Sequence, residues 1–314
     1  MEPKFIPVFS GGTGRSGTTL VGKILGKHPR VHAGKPYEIK FLTGRDGLLD
    51  LLGNNLNSEQ SQKNNAKKFS TFFSSSSRPN ATLRQVTGFH TKITQDWWQR
   101  QGKRGGTAGL VQGFDFEDLE RKLATLESEY FTHPVCSTRK FFYDFIASNK
   151  YIARAEFVVD TTPTNIERSG QISQFLTNAK FIHMQRDGRD TISSVLQEPW
   201  GPSDPMKAIQ WWKSKVLNAK TATSTLPSDS ILDVSLEDLV GKKKEIMYAK
   251  LLGFLDLEDA QEMRNYLENE VNSENAHLGR WKEDPLLDQR FQKKFQEARK
   301  ELANLGVVLS QSID

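Results

Sequence analysis

Apolar residues in this chain occur either in short runs or at helical spacing, and the two patterns alternate. The run "FIPVFSGG" (5–12) ends in glycines and predicts a buried strand. From Gly17 the apolar residues recur at helical spacing, which predicts a helix that stops before Pro29. The first elements are therefore a strand, a glycine-rich turn and a helix.

The same alternation returns in the second half of the chain. Strands are predicted at 156–160, 180–185 and 230–234, with helices at 166–176 and from 190. Helices are also predicted at 115–131, capped by Asp115, at 137–152, and as a solvated amphipathic helix at 288–305. Alternating strands and helices are typical of a parallel sheet with helices on its faces. We therefore predict a single α/β domain over residues 1–314.

A polar segment at about 54–110 interrupts this pattern between the first and second predicted strands. It contains "NNLNSEQSQKNNAKK", "SSSSRPN" and "QGKRGGTAG", with Trp97 and Trp98 between them. Long insertions of this kind are either surface loops or lids over a binding site. The composition leaves both alternatives open, a plain surface insertion or a lid over an acceptor site.

Charge and cysteine content narrow the class of protein. The 43 basic residues are interspersed with 38 acidic ones and form no long run, so the net charge of +5 does not indicate a nucleic-acid partner. A single cysteine, Cys136, cannot form an internal disulfide, which fits a reducing compartment. The sequence shows neither a signal peptide nor an apolar run of membrane-spanning length. We therefore expect a cytoplasmic protein with no membrane partner.

The glycine-rich loop, residues 12–18 within "GGTGRSGTTL", is the first candidate for chemistry. Backbone N–H groups from Gly14 to Thr18 and the following helix N-terminus would gather partial positive charge, and Arg15 adds a permanent cation. A nucleotide triphosphatase needs a lysine directly after the second glycine, but Thr18 stands there. The loop is therefore predicted to bind a phosphate other than that of ATP.

A second motif, "QRDGRDTISS" (185–194), follows a predicted strand. Arg186 ends that strand and Ser194 lies eight residues later in the next helix, so both can reach one dianion at the carboxyl edge of the sheet. The intervening Asp187, Arg189 and Asp190 either form local ion pairs in a solvated turn or belong to the same site.

Together these two segments resemble the sulfotransferases that use 3′-phosphoadenosine 5′-phosphosulfate (PAPS), and most of all the tyrosylprotein-type and related bacterial enzymes. Further similar segments are "HPRV" (28–31), "DTTPTN" (160–165), "LEDLV" (236–240), "LGFLDL" (252–257) and the late loop "HLGRWKED" (277–284). The resemblance covers roughly residues 5–45 and 155–285 and implies the sulfotransferase fold, with a P-loop-like parallel sheet flanked by helices.

The resemblance also implies roles for individual residues. The 5′-phosphosulfate would be held by the glycine-rich loop through Gly14, Arg15, Ser16, Gly17, Thr18 and Thr19, with Arg15 stabilising the leaving phosphate as the S–O bond breaks. Arg186 and Ser194 would hold the 3′-phosphate, and Gly279, Arg280 and Trp281 would close over the nucleotide. PAPS would be the co-substrate and adenosine 3′,5′-bisphosphate the product. No metal is implied, because the reaction needs no magnesium bridge between phosphates.

Similar enzymes place a catalytic glutamate after the first helix, and Glu38 is the nearby carboxylate here, two positions later than in the tyrosylprotein enzymes. Its alternative is a surface glutamate paired with Lys35 or Lys40, and His32 is the reserve base.

Two positions depart from the family pattern. Thr161 replaces a lysine, so either Lys40, Lys92 or Arg280 substitutes for it or the chain is catalytically weak. Leu236 replaces the aromatic residue of "YEDLV", which leaves the Trp211–Trp212 pair as one option for the adenine contact.

The predicted function is transfer of a sulfuryl group from PAPS to a hydroxyl, ahead of an amine, of a small-molecule, glycan or peptide acceptor. The alternatives are a catalytically weak or inactive nucleotide-binding protein of the same fold and a small-molecule kinase. Neither the acceptor nor the oligomeric state follows from the sequence.

Overall fold

A central sheet of five parallel strands organises the computed structural model, which describes residues 4–53, 55–56, 79–102, 105–152 and 155–309. Its strands are β1 (Ile6–Gly12), β2 (Val31–Ala33), β5 (Phe157–Asp160), β6 (Lys180–Gln185) and β7 (Ile231–Ser235). Their order is β2-β5-β1-β6-β7, so the direction of strand addition reverses at β1. In open α/β sheets, ligands bind beyond the carboxyl ends of the strands at such a reversal.

Helices cover both faces of this sheet and account for most of the remaining described chain. They are α1 (Thr18–Leu25), α2 (Leu48–Leu52), α3 (Pro79–Thr91), α4 (Phe116–Tyr130), α5 (Pro134–Ala147), α6 (Ser169–Phe175), α7 (Gly188–Leu196), α8 (Pro205–Thr223), α9 (Leu236–Val240), α10 (Lys244–Leu255), α11 (Gln261–Glu270) and α12 (Gln289–Asn304). The predicted α/β architecture is thereby confirmed. Among the described residues, none of the helices has the length and apolar character needed to cross a membrane.

The alternating directions of the strand side chains explain why helices cover both faces of the sheet. In the central strands, Phe9 and Phe181 enter one core beneath α2–α6, whereas Val8, Ile182 and Met184 enter another beneath α1 and α9–α11. Side chains of successive strand residues point to opposite faces, so a strand that is apolar throughout must be buried on both. Packing between these two helical layers holds the sheet in place, and the glycine-rich loop begins at its carboxyl edge.

The position of the polar segment differs from the prediction. The second sheet strand in chain order is β2, which precedes the segment, so the segment lies between the second and third strands. A strand of only three residues is too short to show an alternating pattern, and its pairing with β5 defines it instead.

The described part of the polar segment is folded. Val86 and Phe89 of α3 are buried in the core, and Trp97 packs against Gly44, where an added Cβ would lie 3.0 Å from the indole. An antiparallel pair, β3 (Arg100–Gln101) and β4 (Thr107–Ala108), follows. Residues 54, 57–78 and 103–104 lie outside the described residues, and the lid role of the segment stays a prediction.

The predicted helices are present, although the helix predicted at 137–152 begins and ends earlier, at Pro134–Ala147. Asp115 caps α4 by accepting a hydrogen bond from the backbone N–H of Asp118 (2.9 Å). The helix predicted at 166–176 is a 3₁₀ helix over Pro163–Arg168 followed by α6. The strands predicted at 180–185 and 230–234 are present as β6 and β7.

Candidate active site

The glycine-rich loop connects β1 to α1, as the sequence predicts, and its backbone adopts conformations that favour glycine. Gly14 and Gly17 have φ values of 82° and 94°, and Arg15 between them has 57°. A Cβ at Gly12 would lie 2.3 Å from the Ser16 Oγ and 2.5 Å from the Met184 carbonyl oxygen, so only glycine fits. These turns form the tight concave backbone that an anion-binding loop requires.

Ser16 meets one condition for an anion site. Its hydroxyl is fully buried, yet the Oγ has no hydrogen-bond partner among the described residues. Buried polar groups without a partner are uncommon and call for an explanation. An oxyanion in the loop would accept this donor, so Ser16 fits the predicted phosphosulfate site.

The side chain of Arg15 joins the two predicted phosphate motifs. Its Nε donates to the Ser194 Oγ (2.9 Å), and its Nη1 lies 3.4 Å from the Glu198 carboxylate. The Arg15 side chain remains 40% exposed. Arg15 and Ser194 are 179 positions apart in sequence, and the fold brings them into contact at the predicted site.

Arg186 connects the glycine-rich loop to the late loop. Its Nη1 donates to the Arg15 carbonyl oxygen (2.9 Å), and its Nη2 donates to the carbonyls of Ala276 (3.1 Å) and His277 (2.8 Å). The side chain is 7% exposed, its Nε has no partner among the described residues, and burial lowers the pKa of the guanidinium. Arg186 therefore holds two loops together, and its Nε is a buried donor without a partner among the described residues.

Asp190 holds the late loop against the second motif. Its two carboxylate oxygens accept the backbone N–H groups of Gly279 (2.8 Å) and Trp281 (3.1 Å). The Arg189 guanidinium lies 3.8 Å from the centre of the Trp281 ring and pairs with Asp187 (2.7 Å). Asp187, Arg189 and Asp190 are buried, so the solvated-turn alternative is wrong. Arg280, exposed beside them, donates to the Gln197 side chain (2.6 Å).

Glu237 is a supporting residue that the sequence analysis did not identify. Its carboxylate accepts the Asp187 backbone N–H (2.7 Å) and the Ser235 hydroxyl (2.9 Å), which fastens the ends of β6 and β7 together. Burial raises the pKa of this carboxyl. The preceding Leu236 lies beneath the loop, since a Cβ at Gly17 would be 2.8 Å from its Cδ1. A buried carboxylate that binds backbone N–H groups has no distinctive sequence spacing, so only the fold reveals it.

The segment that carries Glu38 is tied to the end of β5. Asp160, fully buried there, accepts the Ile39 N–H (3.3 Å), and burial raises the pKa of its carboxyl. The Glu38 side chain is partly exposed, and one of its carboxylate oxygens lies 3.4 Å from the Lys40 Nζ. The pairing with Lys40 considered from the sequence is therefore present, on a segment whose backbone is fixed.

Thr161 has a structural role at the position of the family lysine. Its hydroxyl donates to the Tyr37 carbonyl (3.0 Å), and its methyl group faces Gly22 of α1, where a Cβ would lie 2.5 Å away. A lysine side chain has no space in this orientation. Each cation suggested as a substitute has a partner: Lys40 with Glu38, Lys92 with Asp96 and Arg280 with Gln197.

His32 and the tryptophan pair lie in different surroundings. The imidazole of His32 lines a small apolar cavity with Phe5 and Pro7, and burial lowers its pKa.

Trp212 belongs to the core against Phe295, whereas Trp211 packs beside Trp200. The option that both tryptophans contact adenine is therefore wrong for Trp212.

Among the residues that the structure describes, no group of three or more His, Cys, Asp or Glu side chains could hold a metal ion.

The chain is similar to one protein family and to several solved structures. A model of the sulfotransferase family matches residues 7–262, whereas no curated protein matches the chain. Similar solved structures include the sulfotransferase domain of the curacin biosynthetic pathway, with 15% identity over 97% of this chain and 98% of that one and a TM-score of 0.47. The sulfotransferase domain of the Synechococcus PCC 7002 olefin synthase has 17% identity over 96% and 95%, with a TM-score of 0.48. Sulfotransferase STF9 from Mycobacterium avium has 14% identity over 98% and 78%, with a TM-score of 0.47.

The family match spans β1, the glycine-rich loop, the second motif and β7. It supports sulfuryl transfer as the general activity and does not favour the kinase alternative. The chain belongs to the sulfotransferase family.

Proposed function

We propose that the chain transfers the sulfuryl group of PAPS to a hydroxyl of its acceptor. The observation that carries the proposal is the joining of the two phosphate motifs: Arg15 contacts Ser194, and Arg186 contacts the Arg15 backbone. A loop for one phosphate and a second anion site beside it suit a nucleotide phosphorylated at both the 5′ and 3′ positions. The hydroxyl acceptor remains our preference over an amine.

The glycine-rich loop, with the Arg15, Thr18 and Thr19 side chains and the unpartnered Ser16 hydroxyl, is assigned to the 5′-phosphosulfate. Ser194 and Arg186 are assigned to the 3′-phosphate, the latter through its buried Nε, which has no partner within the part of the chain that the structure describes. Gly279, Arg280 and Trp281 of the late loop are assigned to the nucleotide, since Asp190 holds that loop beside the second motif.

In the proposed reaction the acceptor oxygen bonds to sulfur as the bond from sulfur to the 5′-phosphate oxygen breaks. Glu38 takes the acceptor proton, and adenosine 3′,5′-bisphosphate leaves. Arg15 supplies a fixed positive charge where the departing phosphate gains negative charge. With Thr161 buried, the loop arginine is the cation to which we assign this role.

Ligand choice tests the proposal. Adenosine 3′,5′-bisphosphate should raise the melting temperature far more than ATP or ADP with Mg²⁺ at equal concentration. A ligand that binds only the folded state stabilises it by roughly 2.7 kcal/mol at one hundred times its Kd. Equal shifts with ATP and Mg²⁺ would contradict the PAPS assignment.

Turnover separates the enzyme from an inactive nucleotide-binding protein. The protein is incubated with sulfur-labelled PAPS and a broad mixture of hydroxyl compounds, and sulfate esters are detected by mass. Release of label into an acceptor supports the enzyme, whereas nucleotide binding without any release supports the inactive alternative.

A further inference from the structure

Glu198 places a carboxylate beside the loop that we assign to the phosphosulfate. It follows α7 four residues after Ser194, and its side chain is 13% exposed. One carboxylate oxygen lies 3.4 Å from the Arg15 Nη1, and the other accepts the Trp200 indole N–H (3.1 Å). Both oxygens are therefore engaged, and the carboxylate is fixed in place.

A tight turn holds Glu198 and Trp200 in this position. The Gly201 N–H donates to the Glu198 carbonyl oxygen (3.0 Å), and a Cβ at Gly201 would lie 2.3 Å from the Val195 carbonyl oxygen. The turn sets the Trp200 ring over the glycine-rich loop, 3.8 Å from the place a Cβ of Gly14 would occupy. The carboxylate and the indole thus border the same loop.

Trp200, which is exposed, and Trp211, which is partly buried, form an aromatic corner next to this carboxylate. Trp200 is 54% exposed although its N–H is bound to Glu198, and the two ring centres are 6.3 Å apart with an angle of 52° between the planes. Tryptophan is enriched among the residues that dominate the binding energy of interfaces. The faces of tryptophan rings attract cations.

The charges around the loop favour a cation at this corner. The nearby Arg189 and Asp187 form an ion pair, and Arg186 is balanced by Asp190 at 3.9 Å. Two positive charges lie near Glu198: Arg15, which pairs with it, and Arg280, which donates to the adjacent Gln197. They face the Glu198 carboxylate and the proposed phosphosulfate, whose phosphate and sulfuryl groups are both negative. The net charge of these groups is negative. A positively charged acceptor is therefore attracted to this partly desolvated site, and a negatively charged acceptor is repelled.

We infer that Glu198, Trp200 and Trp211 form an acceptor subsite that selects a hydroxyl compound carrying an ammonium group. The inference rests on the proposed function, because it places the acceptor beside the phosphosulfate loop. Glu198 acts as the specificity-determining residue and Trp200 as the face against which the ammonium packs.

A matched series of phenols tests the inference. Tyramine, tyrosol and 3-(4-hydroxyphenyl)propionate share the hydroxyl and differ in carrying a positive, neutral or negative group. Each is titrated calorimetrically into protein saturated with adenosine 3′,5′-bisphosphate. We expect tyramine to bind roughly tenfold to a hundredfold more tightly than tyrosol, because a charge-assisted contact contributes about that much to affinity. The propionate should bind most weakly of the three.

Substitutions at Glu198 and Trp200, with a control at Glu156, assign the preference to named groups. Glu198→Gln should remove the difference between tyramine and tyrosol, whereas Glu156→Gln, whose carboxylate pairs with Arg30, should retain it. Trp200→Ala should weaken tyramine more than tyrosol, and Trp200→Phe should restore part of the loss. The melting temperature of each variant checks folding.

Any of three results would overturn the inference: equal affinities across the series, no binding of any phenol, or a tyramine preference that survives Glu198→Gln. The proposed function would still stand in these cases, provided that the protein binds adenosine 3′,5′-bisphosphate. Failure of adenosine 3′,5′-bisphosphate to bind the wild-type protein would instead overturn the proposed function, and this inference with it.

Discussion

The Arg186 guanidinium donates a hydrogen bond to the backbone carbonyl of Arg15, 2.9 Å away. This bond couples the end of β6 to the glycine-rich loop after β1, across 171 positions of sequence. The same guanidinium binds the carbonyls of Ala276 and His277, which lead into the late loop. One buried side chain thus sets the relative positions of three segments that we assign to a single nucleotide.

Replacing Arg186 by lysine should therefore weaken nucleotide binding and stability together. A lysine keeps the charge but lacks the planar fork that reaches several carbonyls at once. Lost charge-assisted hydrogen bonds cost on the order of 1.5–3 kcal/mol, so we expect the Kd for adenosine 3′,5′-bisphosphate to rise roughly tenfold to a hundredfold, with a lower melting temperature. Calorimetry and thermal unfolding measure both.

The matched control is Arg121→Lys, since Arg121 is largely exposed and pairs with Asp118 at the surface. It should change neither quantity appreciably, as surface ion pairs contribute little. An Arg186→Lys variant with wild-type affinity and stability would contradict the proposed role of Arg186.

Asp190→Asn should loosen the late loop. An amide presents only one acceptor oxygen to the backbone N–H groups of Gly279 and Trp281, so one of these donors faces an NH₂ group. We expect a roughly tenfold weaker affinity for adenosine 3′,5′-bisphosphate. We also expect faster tryptic cleavage after Arg280 or Lys282.

The rate of tryptic cleavage, followed by mass spectrometry, reports on the loop independently of activity. Asp144→Asn, at a surface pair with Lys4, is the control. Unchanged cleavage at Arg280 and Lys282 in Asp190→Asn would show that Asp190 does not restrain the loop.

The sequence predicted the sheet, the glycine-rich loop and the second motif because each carries a local pattern. The strand at Lys180–Gln185 and the turn after Ile6–Gly12 follow directly from apolar runs and glycines. The three-residue β2 escaped detection because its pairing with β5 defines it. Asp190 and Glu237 lie in the quoted motifs, but the sequence did not show that they bind the backbone N–H groups of other segments, because that role depends on contacts formed only in the fold.

Thr161 shows a different limit of sequence reasoning. A family lysine is replaced by Thr161, which raised the question of a missing cation. The sequence does not show that the Thr161 side chain faces Gly22, where a lysine would have no space. The contact of Trp200 and Glu198 with the glycine-rich loop likewise depends on a turn whose position only the fold reveals.

Removal of divalent metals should leave turnover unchanged. In the part of the chain that the structure describes, no cluster of acidic, histidine or cysteine side chains could hold a metal ion, and the proposed transfer needs no bridge between phosphates. The measurement is the initial rate of sulfate transfer with excess EDTA and after re-addition of Mg²⁺. A rate that falls in EDTA and returns with Mg²⁺ would contradict this prediction.

Glu38→Gln separates chemistry from binding. Glutamine keeps the size of the side chain but cannot take a proton, so kcat should fall by roughly 10²–10⁴, the usual contribution of a positioned general base. The KM for PAPS should stay nearly unchanged, because Glu38 lies on the segment tied to β5 and has no assigned contact with the nucleotide. Steady-state kinetics at saturating acceptor measure both constants.

The comparison variants are Glu262→Gln, at an exposed position of α11, and His32→Gln, in the apolar cavity. Glu262→Gln should match the wild type. His32→Gln should lower the melting temperature and spare kcat, because the half-buried imidazole lines a small apolar cavity with Phe5 and Pro7, and no residue of the glycine-rich loop lines that cavity. If Glu38→Gln retains kcat and His32→Gln loses it, the base is His32, and the partly exposed Glu38 is only the ion-pair partner of Lys40.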